Sequence, residues 1–210
     1  MAAAEDRYLR RFTRTERALH WTHALAFFVL LVSGLALYLP QLIALVGRRP
    51  LVKDVHIYTA ITWLVALTAI VLVGDRRSLR ATLRSLDQFD RDDRQWLLGK
   101  RVAQGRFNAG QKLNFWLTCA FAVLFVVSGF LLWYGERDTR FRFASTLLLH
   151  DGLMYVSLLL LVGHLYLAII HPATRHALRG ITVGSVSEEW ARAHHAKWAE
   201  QAERRRTGDA

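Results

Sequence analysis

Apolar residues fall in four long blocks along this chain, with the charged residues gathered between them. Between Arg17 and Arg48 there are 30 consecutive residues without Lys, Arg, Asp or Glu. A further 20 lie between Asp54 and Asp75, 23 between Lys112 and Glu136, and 23 between Asp151 and Arg175. Each block reaches the ~20 residues that a helix needs to cross about 30 Å of hydrocarbon. Backbone amides find no water inside a bilayer, so a lone spanning segment of this kind closes its own hydrogen bonds as a helix. The pattern predicts an all-α integral membrane protein, a four-helix bundle with spans at 18–40, 55–74, 113–135 and 146–171. These form one domain over 1–210, with a connecting loop at 75–112 and a tail at 172–210. The first block follows a basic head and is too long for the core of a cleaved signal, so it counts as a retained span.

Composition agrees and adds an orientation. Hydrophobic residues make up 53% of the 210, with seven Trp and eleven Phe, which is rich for a soluble domain. Lys and Arg number 28 against 17 Asp and Glu. In a soluble chain that balance points to nucleic acid; here the basic residues sit between apolar blocks, so the reading is membrane lipid and no nucleic acid. With four spans, both termini and the 75–112 loop share one side, which carries 22 Lys and Arg against six on the other. The positive-inside rule puts that side, and both termini, in the cytoplasm. The single cysteine, Cys119, lies in an apolar run and reads as packing.

The nine histidines then become informative by depth. The fourth span, LLLHDGLMYVSLLLLVGHLYLAIIHP, holds His150 near its outer end and His164 near its inner end. Fourteen residues is about 21 Å and nearly four turns, so the two imidazoles leave one face near opposite sides of a bilayer. His56 opens the second span on the outer side, and His20 opens the first on the inner side. Two pairs result: His56 with His150 outside, His20 with His164 inside. Ionisable side chains at such depth are costly, which makes them functional candidates. Facing neutral imidazoles suit a six-coordinate haem iron, whereas a zinc site calls for more ligands than these depths offer. His23, one turn from His20, is a rival inner ligand. His171, His176, His194 and His195 are expected at head-group level or in solvent. Asp151, beside His150, either sets the local potential or caps its helix.

Two further stretches carry chemistry. In RFNAGQKLNFW, at the cytoplasmic mouth of the third span, Asn108 and Gln111 offer amide donors and acceptors and Gly110 offers close approach. That arrangement is either a turn with a helix cap or a binding site for a quinone head beside the inner haem. A faint internal echo also links FFVLLVSGLALY at 27–38 with FAVLFVVSGFLLWY at 121–134. Its Ser33-Gly34 and Ser128-Gly129 either let helices approach closely or make room for the edge of a macrocycle.

Taken together, RALHW, the histidine opening the second span, FNAGQK, the paired histidines of the fourth span and the tail VSEEWARAHHAKW resemble the cytochrome b (gamma) subunit of respiratory formate dehydrogenases. The likeness covers nearly the whole chain. It implies a multi-pass protein of the bacterial cytoplasmic membrane holding two b-type haems, with His56 and His150 on the periplasmic one and His20 and His164 on the cytoplasmic one. Asn108, Gly110 and Gln111 would line the site of a quinone, menaquinone or ubiquinone. The implied partners are an iron–sulfur beta subunit and a molybdenum or tungsten alpha subunit that oxidises formate; this chain would only transfer electrons. A cytochrome b serving a hydrogenase or another quinone-linked oxidoreductase is the near alternative. A haem-free membrane anchor or assembly protein is the distant one.

Overall fold

A computed structural model describes residues 7–207; the extreme ends of the chain, assigned above to the cytoplasm, lie outside the described residues. Four helices are long and apolar enough to cross a membrane: α1 (Arg14–Tyr38), α3 (Arg49–Val73), α6 (Ala109–Gly135) and α7 (Ala144–Leu165). A single π turn, Tyr166–Ile170, continues α7, with the His171 amide bonded to the Tyr166 carbonyl at 2.9 Å. These helices match the four expected spans, and α1, α3 and α6 begin four to six residues earlier. The extra turns come from caps and prolines at their starts. Thr13 and Glu16 close a reciprocal capping box before α1, and Pro50 occupies the first turn of α3, where its missing N–H costs nothing. A short helix, α2 (Pro40–Val46), ends on Gly47 at a φ of 69°, the left-handed geometry that glycine adopts without strain.

The chain forms two compact units. One comprises Ala18–Arg76 and Phe121–Val162. Its large apolar side chains point outward: Leu25, Val65, Leu148 and Leu159 are each more than 60% exposed. Leucines so exposed on long helices mark a surface made for lipid. Inside it, Tyr38 meets Tyr155 edge to face at 5.8 Å, and Lys53 pairs with Glu136 at one end.

The other unit comprises the chain up to Arg17, Arg77–Ala120 and the chain from Gly163. It holds the helices α4 (Arg76–Asp87, all but its first residue), α5 (Arg91–Leu97), α8 (Leu178–Thr182), α9 (Glu188–His194) and α10 (Ala196–Thr207). The stretch 75–112, expected as a loop, is therefore largely helical. A two-stranded antiparallel ribbon pairs β1 (Tyr8–Arg10) with β2 (Ser185–Ser187), setting Leu9 opposite Val186. Around that pair Trp190, Ala191 and Ala199 are buried, with Ala177, Trp198 and Ala202 packed against them. Trp190 packs within this chain and donates its Nε1–H to the Ala173 carbonyl at 2.9 Å.

Polar cross-links fasten this unit. Arg11 donates to the Arg106 carbonyl at 3.0 Å, and Arg106 returns a bond to the Arg11 carbonyl at 2.5 Å. Arg106 also pairs with the buried Glu16 at 2.7 Å. Lys112 is 7% exposed and holds Asp93 at 2.5 Å and the Gln88 carbonyl at 2.8 Å. Removing either member of such a pair leaves a buried charge unmatched.

Candidate functional site

His56 on α3 and His150 on α7 lie together, with ring centres 6.3 Å apart and ring planes at 66°. Both are half-buried. Each is held by a serine from the preceding long helix, 23 and 22 residues earlier. The Ser33 hydroxyl donates to the Val29 carbonyl at 2.7 Å, one turn back on α1, and so has only lone pairs left for His56 Nδ1, 2.9 Å away. The Ser128 hydroxyl likewise donates to the Leu124 carbonyl at 2.6 Å and faces His150 Nδ1 at 2.8 Å. A hydroxyl has one proton, and here the helix carbonyl takes it. Both imidazoles are thereby assigned the Nδ1–H tautomer, in which Nε2 keeps a free lone pair. That is the form in which histidine binds a metal.

The glycines of the echoed Ser-Gly pairs make room for the same rings. A Cβ added at Gly34 would lie 3.4 Å from His56 Cε1, and one at Gly129 would lie 3.4 Å from His150 Cε1. The histidine edge, rather than a neighbouring helix backbone, occupies the space that each glycine leaves. Phe125 closes one side of His150, edge to face at 5.2 Å.

This pair fits a single iron between two imidazoles. An imidazole nitrogen bonds a transition metal at about 2 Å and the ring centre lies about 1 Å behind it, so opposed ligands stand about 6 Å apart. Among the described residues no group of three or more His, Cys, Asp or Glu could hold a metal ion, so a ligand set richer than the pair is absent there. Asp151 sits two turns inside α7, so it does not cap that helix.

The remaining predicted residues fall as follows. His20 is half-buried on α1 against Trp21, and His164 lies in the last turn of α7. They belong to different units, so their pairing rests on depth along the spans. His23 packs at a tilt against Trp63, ring centres 5.7 Å apart; the Trp63 Nε1 is buried without a hydrogen-bond acceptor among the described residues. Asn108 and Gln111 form a reciprocal capping box at the start of α6. The Asn108 carbonyl oxygen accepts from the Gln111 amide at 2.9 Å, and the Gln111 carbonyl oxygen accepts from the Asn108 amide at 3.1 Å. The box uses both oxygens and leaves both NH2 groups as donors. At Gly110 an added Cβ would come within 3.0 Å of the Trp96 ring, so the flat group seated there is an indole of this chain.

His195, expected in solvent, is only 2% exposed. Its Nε2 accepts from Arg11 at 3.0 Å, and its Nδ1–H donates to the Gly105 carbonyl at 2.7 Å. Burial first, and the facing Arg11 charge second, push its pKa down to about 3. Burial and the neighbouring Arg106 push Arg11 down to about 9.

The sequence profile of the prokaryotic cytochrome b561 family matches residues 11–184, which include all four long helices and His20, His56, His150 and His164. The chain belongs to the prokaryotic cytochrome b561 family. Membership implies a b-type haem, in keeping with the adjacent imidazoles of His56 and His150. The chain is 25% identical over 205 residues to the cytochrome b556(Fdn) subunit of the nitrate-inducible formate dehydrogenase of Escherichia coli, covering 90% of this chain and 89% of that protein. It is 28% identical over 198 residues to the cytochrome b556(fdo) subunit of another Escherichia coli formate dehydrogenase, covering 90% of each. With the formate dehydrogenase cytochrome b556 subunit of Haemophilus influenzae it shares 24% over 211 residues. The chain is thus similar along nearly its whole length to cytochrome b556 subunits of formate dehydrogenases.

Proposed function

We propose that this chain is the cytochrome b subunit of a quinone-linked formate dehydrogenase of the bacterial inner membrane. It would hold two b-type haems that join a periplasmic iron–sulfur subunit to quinone at the cytoplasmic face. The observation that carries the reading is the His56–His150 pair, two imidazoles fixed in the metal-binding tautomer at ligand spacing. A bound haem supplies one-electron redox chemistry. Everything else belongs to this chain. His56 and His150 would ligate the outer haem, and His20 and His164, by their depth, the inner one. The lipid-facing leucines seat the bundle in the bilayer, and the excess of basic residues sets both termini inside.

Quinone needs hydrogen-bond donors to its carbonyls and a route for protons at the membrane edge. The NH2 groups of Asn108 and Gln111, at the mouth of α6, suit that role, and the capping box holds both side chains in place. Gly110 serves it indirectly by letting Trp96 pack beneath the same turn. Formate itself would be oxidised on a molybdenum- or tungsten-bearing partner; the relatives' names assign them to formate dehydrogenases and say nothing of the metal.

The test is to add formate to membranes containing the complex and follow the b-type absorption of this subunit. Reduction by formate, followed by reoxidation on adding a quinone, is expected. A cytochrome that stays oxidised with formate, yet is reduced by dithionite, would overturn the assignment to formate and point to another donor.

A further inference from the structure

We propose that Ser33 and Ser128 are a matched pair of positioning residues that set the electron-donating strength of His56 and His150. The inference rests on the reading of those histidines as ligands of one haem. Its basis is a geometry present twice. In each case a serine on one long helix gives its proton to the carbonyl four residues earlier and presents its lone pairs to Nδ1 of a histidine on the next long helix. In each case the following glycine seats the same ring. The sequence spacing is nearly the same, 23 and 22 residues.

The bonds are asymmetric in need. Each serine is already satisfied by its own helix, so its fold does not depend on the histidine. Each histidine leans on its serine, because an unmatched N–H in an apolar span has no water to turn to; His150 does so most, since His56 also has the Leu30 carbonyl within reach. Ser33 is 6% and Ser128 1% exposed, which leaves no route for a replacing water. A hydrogen bond accepted from Nδ1–H makes the imidazole a stronger donor at Nε2, and a stronger donor favours ferric over ferrous iron. Two such bonds on one iron hold its potential down from both sides. They also fix both rings against rotation, so the lone pairs stay aimed.

The experiment uses the haem-loaded protein and reads midpoint potentials and the ferric low-temperature spectrum of Ser33→Ala, Ser128→Ala, Ser33→Thr and Ser128→Thr. Alanine keeps the helix and removes the hydroxyl; threonine keeps a hydroxyl able to bond the same carbonyl. Each alanine variant is expected to raise one of the potentials and leave the other in place. A tenfold loss of ferric preference corresponds to about 59 mV for a one-electron couple. Threonine is expected to restore the value at least in part, and the double alanine variant to shift the same potential further. Haem-loaded alanine variants with unchanged potentials and spectra would overturn the inference while leaving the ligands assigned. A wild-type protein that takes up no haem would instead overturn the ligand reading itself.

Discussion

His56 and His195 are both drawn out of water in this chain, and both are held as the neutral Nδ1–H tautomer, yet they are built for opposite ends. At His56, as at His150, the serine hydroxyl lies on Nδ1, with the Leu30 carbonyl a further acceptor for His56, and among the described residues Nε2 of neither ring makes a hydrogen bond. At His195 both nitrogens are engaged, Nδ1–H by the Gly105 carbonyl and Nε2 by the Arg11 guanidinium. On the proposed reading the first arrangement leaves a lone pair for iron; the second spends it on a cation. What separates a ligand from a structural pin is which nitrogen is left over, and burial or tautomer alone does not reveal it.

Exchanging the two sites by mutation gives the widest separation. His195→Ala strips Arg11 of its buried acceptor and the Gly105 carbonyl of its donor, so about 3 kcal/mol of stability is expected to go while haem binding persists. His56→Ala is expected to do the reverse, costing one haem and leaving the helical content of the protein intact. Thermal melts followed by circular dichroism, beside haem absorbance, check both; loss of haem in His195→Ala with an unchanged melt would break the contrast.

Acidification probes the pin next. The folded-state pKa of His195 is depressed from 6.5 to about 3, so its contribution is complete above about 6.5 and is lost as pH falls toward about 3. Over that window the unfolded chain binds a proton that the folded chain refuses. Stability is expected to fall by about 2 kcal/mol between pH 7 and pH 5, at ~1.4 kcal/mol per unit once below 6.5. His195→Ala should flatten that slope, and an equal slope in the variant would remove His195 as its source.

The smallest effect concerns Asn108, which the structure shows as a cap. Asn108→Ala is expected to cost about 1 kcal/mol. Asn108→Asp keeps the capping oxygen and deletes the NH2 donor, so the melt should stay within about 0.5 kcal/mol while quinone turnover falls about tenfold. Unchanged turnover would leave Asn108 a cap and nothing more.

The spans were legible because a 20-residue charge-free run has few other fates, and the His56–His150 pair followed from depth alone. The serines were visible as an echo, but their role was not. Nothing in a Ser-Gly pair says which neighbour its hydroxyl will meet, and both proposed readings concerned backbone or macrocycle rather than imidazole. The second unit was least legible. In α4, Leu79, Leu83 and Leu86 recur at helical spacing among four arginines, a surface-helix pattern that a search for apolar spans passes over. His195 was misplaced because it lies in a basic tail, between Arg192 and Lys197; its burial comes from Arg11, Gly105 and Trp190, brought together by the ribbon at Leu9 and Val186. Contacts made across 90 and 184 residues leave no local trace.

The most direct measurement of the central claim is the number of haems per chain in the purified wild-type protein and in the His56→Ala/His150→Ala double variant. Two b-type haems in the wild type and one in the double variant are expected, with the remaining haem keeping its reduced-minus-oxidised spectrum. A double variant that keeps both haems would contradict the assignment of His56 and His150 as ligands.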